Sequence, residues 1–141
     1  MRSYAKEAGA EEVSQYEIME RLARRGRQQR QGAMKVTTAF CGSRTNPELR
    51  GSITNIGEDN FTPQGLVYGV LEGMAQELFD LYQVIRREKG ICAQYLTGSG
   101  NGLRKNQVLQ EIFSDLFGTR LRPAPYQEEA ACGAALMNTI I

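Results

Sequence analysis

Histidine and tryptophan are both absent from the 141 residues. Without an imidazole there is no Ser-His-Asp triad, no Cys-His pair, no HExxH zinc site and no imidazole proton shuttle. Cysteine is scarce: Cys41, Cys92 and Cys132 stand far apart, odd in number and without a CxxC. That spacing argues against a disulfide scaffold and a thiolate zinc site, and predicts reduced, mostly buried thiols. No long apolar run is present, since the longest mostly apolar stretch, residues 130–141, falls short of the ~20 residues that cross a bilayer. The N-terminus is charged from Arg2 onward and has no apolar signal region, so no membrane partner is expected and the chain reads as cytoplasmic. An excess of one charge is missing too. Lys and Arg number 17 against 16 Asp and Glu, which gives no whole-chain attraction for nucleic acid.

What is present is ordinary globular composition, 41% hydrophobic and 23% charged, at a length that builds one core but not a two-lobed enzyme with a closing cleft. Residues 1–33 form a charged N-terminal segment. Its acids come first (Glu7, Glu11, Glu12, Glu17, Glu20) and its arginines follow (Arg21, Arg24, Arg25, Arg27, Arg30). Glu17 to Arg21 and Glu20 to Arg24 have favourable i to i+4 order, and acid-first polarity suits the helix dipole. With a thin apolar stripe of Val13, Tyr16, Met19 and Ala23, a surface helix over residues 10–25 is predicted. The rival reading, a basic arm for RNA or an acidic partner, lacks aromatics to stack bases in residues 21–30.

The second segment, residues 34–141, opens with β-branched strand character over 34–40 and turn chemistry over 41–47. Thr62-Pro63 then forms a helix start, a hydroxyl N-cap with proline at the first helical position. Leu66, Val67, Val70, Leu71, Met74, Leu78, Leu81, Tyr82 and Ile85 recur at three- and four-residue spacing, basic residues fill the last turn, and Gly90 ends it. This predicts a core-packing helix. Gly69 and Gly73, one turn apart, fit either a close backbone approach on that face or tolerated small residues. Residues 91–96 read as a buried strand, 97–102 as a glycine loop, and 106–117 as a helix closed by Gly118. The loop matches neither GxxxxGK[ST] nor GxGxxG, because Leu103 stands where each pattern needs glycine. On pattern alone it is equally a nucleotide or phosphate site and a plain glycine turn. Asp59, Glu111 and Asp115 are assigned no catalytic role, because lone carboxylates of this kind usually face solvent.

Three blocks occur in order. They are Gly98-Ser99-Gly100-Asn101-Gly102-Leu103-Arg104-Lys105-Asn106-Gln107-Val108-Leu109-Gln110, then Asp115-Leu116-Phe117-Gly118-Thr119-Arg120-Leu121-Arg122, then Glu128-Glu129-Ala130-Ala131-Cys132-Gly133-Ala134-Ala135-Leu136. Together they resemble the C-terminal end of the FGGY carbohydrate kinases. Upstream, Phe40-x-Gly42-x-Arg44-x-x-Pro47 followed by Arg50-Gly51-Ser52-Ile53 is similar to the sedoheptulose-type members of that family.

The resemblance implies an α/β fold: a partial actin-like, ribonuclease-H-like ATPase lobe with an incomplete sheet, ordered helix, strand, glycine loop, helix, strand, helix. It implies ATP or ADP with Mg2+ as cofactor, the metal held through the phosphates and a partner lobe that also supplies the sugar site. The expected reaction is phosphoryl transfer to a sugar, sedoheptulose to sedoheptulose 7-phosphate. Nucleotide-binding candidates carried over are Gly98, Ser99, Gly100, Asn101, Gly102 and Asn106, with no catalytic and no metal-ligating residue. Arg104 and Lys105 are candidates for a phosphate tail or solvated bases, Arg44 for a phosphate or an interlobe contact, and Gly133 for helix packing. The family's Asp-x-Gly-Thr phosphate loop does not occur in the sequence, so the chain is expected to be inactive by itself. Self-association through an exposed sheet edge is expected of an incomplete lobe. The alternatives are a non-catalytic adenine-nucleotide module and a basic-arm interaction protein.

Overall fold

The structure, a computed structural model, describes residues 15–29, 34–43, 46–90 and 92–125. The chain divides into two compact units, residues 1–78 and 79–141.

The first unit holds helix α1 (Gln15–Gln29), strands β1 (Lys35–Thr37) and β2 (Ser52–Thr54), and the beginning of helix α2 (Pro63–Lys89). β1 and β2 pair antiparallel with Val36 opposite Ile53. Their side chains lock as well: Ser52 N–H donates to Thr37 Oγ1 at 2.9 Å, and the two hydroxyls lie 2.9 Å apart. α2 begins as Thr62-Pro63 requires, with Gly65 N–H donating to Thr62 Oγ1 at 3.1 Å. Just before it, buried Asn60 holds the turn by donating to Asn55 O and accepting from Gly57 N–H.

Ala23, Met34, Val36, Leu71 and Ala75 are buried in this unit. Small residues decide how its elements meet. A Cβ at Gly26 would strike Gln64 O and the Tyr68 Cβ, and a Cβ at Gly73 would strike the Val36 carbonyl oxygen. The glycines of α2 are therefore at close approaches, which resolves the alternative left open by their spacing.

Two expectations change here. α1 runs on to Gln29 rather than stopping at residue 25, and its buried side is Ala23 with Gly26, while Tyr16 and Met19 are exposed. Close contact with α2 selects the residues without bulk. The expected start at residue 10 and Val13 lie outside the described residues, as does Arg44.

The second unit contains the end of α2, strand β3 (Leu96–Gly98), helices α3 (Asn101–Lys105) and α4 (Gln107–Phe117), and strand β4 (Leu121–Pro123). β3 and β4 are parallel, Leu96 opposite Leu121 and Gly98 opposite Pro123, so β3, α4 and β4 form a βαβ crossover. Val108, Leu109, Ile112, Phe113, Leu121 and Ala124 are buried, as expected of a helix laid on a parallel pair. Phe117 packs edge-on against Phe79 and tilted against Tyr82, with ring centroids 5.1 and 5.2 Å away. Gly118, at φ 62° and ψ 23°, gives α4 its left-handed C-terminal stop.

The strand expected at residues 91–96 lies instead at Leu96–Gly98, and residues 92–95 are exposed. Parallel pairing with β4 sets that register, and Tyr95 turns its ring to the Arg122 guanidinium at 5.9 Å. Ile91 is outside the described residues. α2 is not core-packing along its whole length: Met74, Leu78, Leu81 and Ile85 are 43–62% exposed, whereas Gly69, Leu71, Gly73 and Ala75 are buried. Cys41 and Cys92 are free and exposed rather than buried. Both sit in irregular segments, where no neighbouring element covers them. Cys132 and the block at residues 128–136, including Gly133, lie outside the described residues. Among the described residues the sheets are two separate pairs, the incomplete sheet that was expected.

Candidate functional site

The glycine loop leaves the C-terminal end of β3 and returns through α3 to α4. Its first glycine serves packing. A Cβ at Gly98 would clash with Leu103 Cδ2 and lie 3.1 Å from Leu121 Cδ2, while the Gly98 carbonyl accepts Ala124 N–H at 2.8 Å. Gly100 is different: its φ of 94° and ψ of 146° suit only glycine, and nothing lies within 4 Å of its Cβ position. Gly102 also faces open space. Two of the three glycines thus present bare backbone outward. Ser99, Asn101 and Lys105 are exposed beside them, and Arg104 is half-buried.

The loop is less open than the sequence suggests, because residues 101–105 form a short helix despite Gly102. Arg104 N–H donates to Gly100 O at 3.0 Å and Asn106 N–H to Leu103 O at 3.3 Å. Asn106 then breaks the helical path and caps α4, its Oδ1 accepting Leu109 N–H at 3.0 Å.

Behind the loop stand two residues that sequence reasoning left without a role. Gln110 Nε2 donates to the carbonyls of Leu103 and Arg104 at 2.9 and 3.2 Å. Ser114 Oγ donates to Gln110 O at 2.9 Å and accepts Leu121 N–H at 3.1 Å. The sequence carries little signal for them: polar residues at 106, 110 and 114 recur at four-residue intervals, but so do Gln107, Glu111 and Asp115, and only the contacts of Gln110 and Ser114 distinguish the two rows.

The first unit carries a cleft of about 350 Å³ lined by Gln29, Met34, Asp59, Thr62, Tyr68 and Glu72 among others. The two carboxylates make it a poor receptor for phosphate. No grouping of three or more His, Cys, Asp or Glu occurs among the described residues that could hold a metal ion. No helix among them is long and apolar enough to cross a membrane. Asp59 and Asp115 are exposed and Glu111 is half-buried.

The described residues thus combine a parallel βαβ unit, with a glycine turn at the strand's carboxyl end, and a separate antiparallel pair, an arrangement compatible with part of a nucleotide-binding α/β lobe. The model of the FGGY family of carbohydrate kinases, C-terminal domain, matches residues 2–140. The chain belongs to the FGGY family of carbohydrate kinases and corresponds to its C-terminal domain.

Solved structures share the fold. Glycerol kinase from Plasmodium falciparum, solved with ADP, is 20% identical with a TM-score of 0.69 over 94% of this chain and 26% of its own. Xylulose kinase from Rhodospirillum rubrum is 20% identical with a TM-score of 0.64, over 81% of this chain and 23% of its own. Xylulose kinase from Bifidobacterium adolescentis is 17% identical with a TM-score of 0.66, over 89% of this chain and 24% of its own. The chain thus spans about a quarter of the length of these kinases. No curated protein sequence matches it.

Proposed function

We propose that the chain is the nucleotide-binding portion of an ATP-dependent sugar kinase, with the adenine side of the ATP site formed by Gly98, Ser99, Gly100, Asn101, Gly102 and Asn106. The observation that carries this reading is the open backbone at Gly100 and Gly102, at the carboxyl end of a parallel strand, where open α/β sheets bind ligands. Family membership supports it, as does the shared fold with a glycerol kinase solved with ADP. Within the site, Gly98 supports the turn from inside, Gly100 and Gly102 admit the ligand, and Ser99 and Asn101 offer polar groups beside it. Mg2+ arrives on the nucleotide's phosphates.

In this reading residues 1–33 are a charged helical N-terminal segment and residues 34–141 carry the adenosine site. The phosphoryl acceptor is a sugar, and sedoheptulose is the favoured one on the strength of Phe40-x-Gly42-x-Arg44-x-x-Pro47. Phosphoryl transfer needs in-line positioning and charge neutralisation, and the sequence has no phosphate loop of the Asp-x-Gly-Thr kind to supply them. The 141 residues therefore bind nucleotide without turning it over. Exposed edges of the two-stranded sheets favour self-association, and the working compartment is the cytoplasm.

The test is a two-dimensional NMR titration with ADP. Saturable shifts at residues 98–106, abolished in a Gly100→Asp, Asn106→Asp double variant that keeps a dispersed spectrum, are the expected result. A well-dispersed wild-type spectrum that ADP leaves unchanged at millimolar concentration would refute the reading.

A further inference from the structure

Asn106, Gln110 and Ser114 follow one another at four-residue spacing from the cap of α4 along one side of it, and each bonds differently. Asn106 caps the helix it begins. Ser114 reaches forward to β4 through Leu121 N–H. Gln110 alone reaches back to the loop, giving one amide hydrogen to Leu103 O and one to Arg104 O. Those carbonyls lie in the last turn of α3; Leu103 O also accepts the Asn106 N–H, so the Gln110 amide reinforces that closing turn and adds a donor to Arg104 O.

α3 needs such support. It is five residues long, contains Gly102, follows Gly100, and has no side chain capping its start. Helices this short do not persist by themselves, and glycine weakens them further. Leu103, gripped through its carbonyl by Gln110, fills with its side chain the space beside Gly98 that a Cβ would take. One half-buried amide therefore sets where the bare backbones of Gly100 and Gly102 stand.

We propose that Gln110 is a positioning residue for the nucleotide: by holding the carbonyls of Leu103 and Arg104 it keeps the Gly100–Gly102 turn in its binding shape without touching the ligand. The proposal rests on the nucleotide reading above. The amide is chemically specific for this task. Glutamate at neutral pH has no hydrogen to give and sets a charge against two carbonyl oxygens, and methionine matches the length without a donor.

The experiment compares the whole 141-residue chain with Gln110→Met, Gln110→Glu and Ser114→Ala, reading amide hydrogen exchange and ADP affinity by NMR. In both Gln110 variants the Arg104 and Asn106 amides exchange about ten-fold faster and the Kd for ADP rises about ten-fold, as the loss of two amide hydrogen bonds implies. Val108 to Phe113 keep their protection. Ser114→Ala loosens β4 yet leaves both loop exchange and Kd within about two-fold, which separates positioning from general destabilisation. If the methionine variant does not fold, the glutamate variant carries the test. A folded Gln110 variant with wild-type Kd overturns the proposal, and so does an equal weakening in Ser114→Ala. Failure of the wild type itself to bind ADP would instead bring down the nucleotide reading and this inference together.

Discussion

Replacing Gly73 by alanine tests the packing of the first unit at its tightest point. The added Cβ falls on the Val36 carbonyl oxygen, with the Val36 carbonyl carbon at 3.1 Å and its Cβ at 3.3 Å. Val36 is the middle residue of β1, buried and paired with Ile53 on β2. Relief therefore requires the strand to move, since no side-chain rotation withdraws a backbone oxygen. Overpacking against so stiff a neighbour costs about 3 kcal/mol, the upper end of the usual range. Alanine returns about 1 kcal/mol of helix propensity, leaving a net loss of about 2 kcal/mol. Gly69, one turn earlier, provides the control. Its Cβ would meet Val36 Cγ2 at 3.1 Å and Met34 Cβ at 3.8 Å, the nearest atom being a methyl group that yields by a few tenths of an ångström. There the clash costs about 1 kcal/mol and propensity offsets it, so Gly69→Ala is near neutral. The chain has no tryptophan, so urea unfolding is followed through the Val36 methyl resonances. Gly73→Ala lowers the midpoint by about 1–2 M, given the m-values of small proteins, and Gly69→Ala leaves it nearly unchanged. A Gly73→Ala protein as stable as wild type, or Gly69→Ala the more damaged of the two, would refute the argument.

Three further outcomes are expected. Gly100→Ala forces a side chain into a glycine-only conformation and costs about 1–3 kcal/mol in thermal unfolding, whereas Gly102→Ala, helical and in open space, gains up to about 1 kcal/mol. Equal effects at the two sites would contradict the distinction drawn between them. Tyr82→Phe removes the acceptor of the Ala93 N–H, 2.9 Å away, while keeping the ring against Phe79 and Phe117. It costs about 1 kcal/mol or less and speeds exchange of the Ala93 amide, and an unchanged Ala93 amide would count against that bond. Cys41 and Cys92 are both modified by maleimide in native buffer, as peptide mass mapping reads out, and protection of either is inconsistent with its exposure.

The helices were legible where their ends carry chemistry. Thr62-Pro63 and Gly90 bound α2, and Asn106 and Gly118 bound α4, because caps act through the residues beside them. The strands were not. Each is three residues long, too short for a period to declare itself, and β3 took its position from Leu121 on a distant strand. Met74, Leu78, Leu81 and Ile85 show the limit of periodicity: spacing puts them on one stripe, but burial depends on what other elements cover it. The candidate site was legible by residue type and not by role. Glycine invites either packing or access, and only the neighbours of Gly98 and Gly100 distinguish the two.

Gly98 and Leu103 share one volume, the leucine occupying the space that any side chain at 98 would claim. The pair therefore constitutes a single heritable choice. Among descendants of this sequence, a side chain at 98 requires that the Leu103 methyl swing aside or that 103 become smaller, so substitutions at the two positions are expected to be coupled.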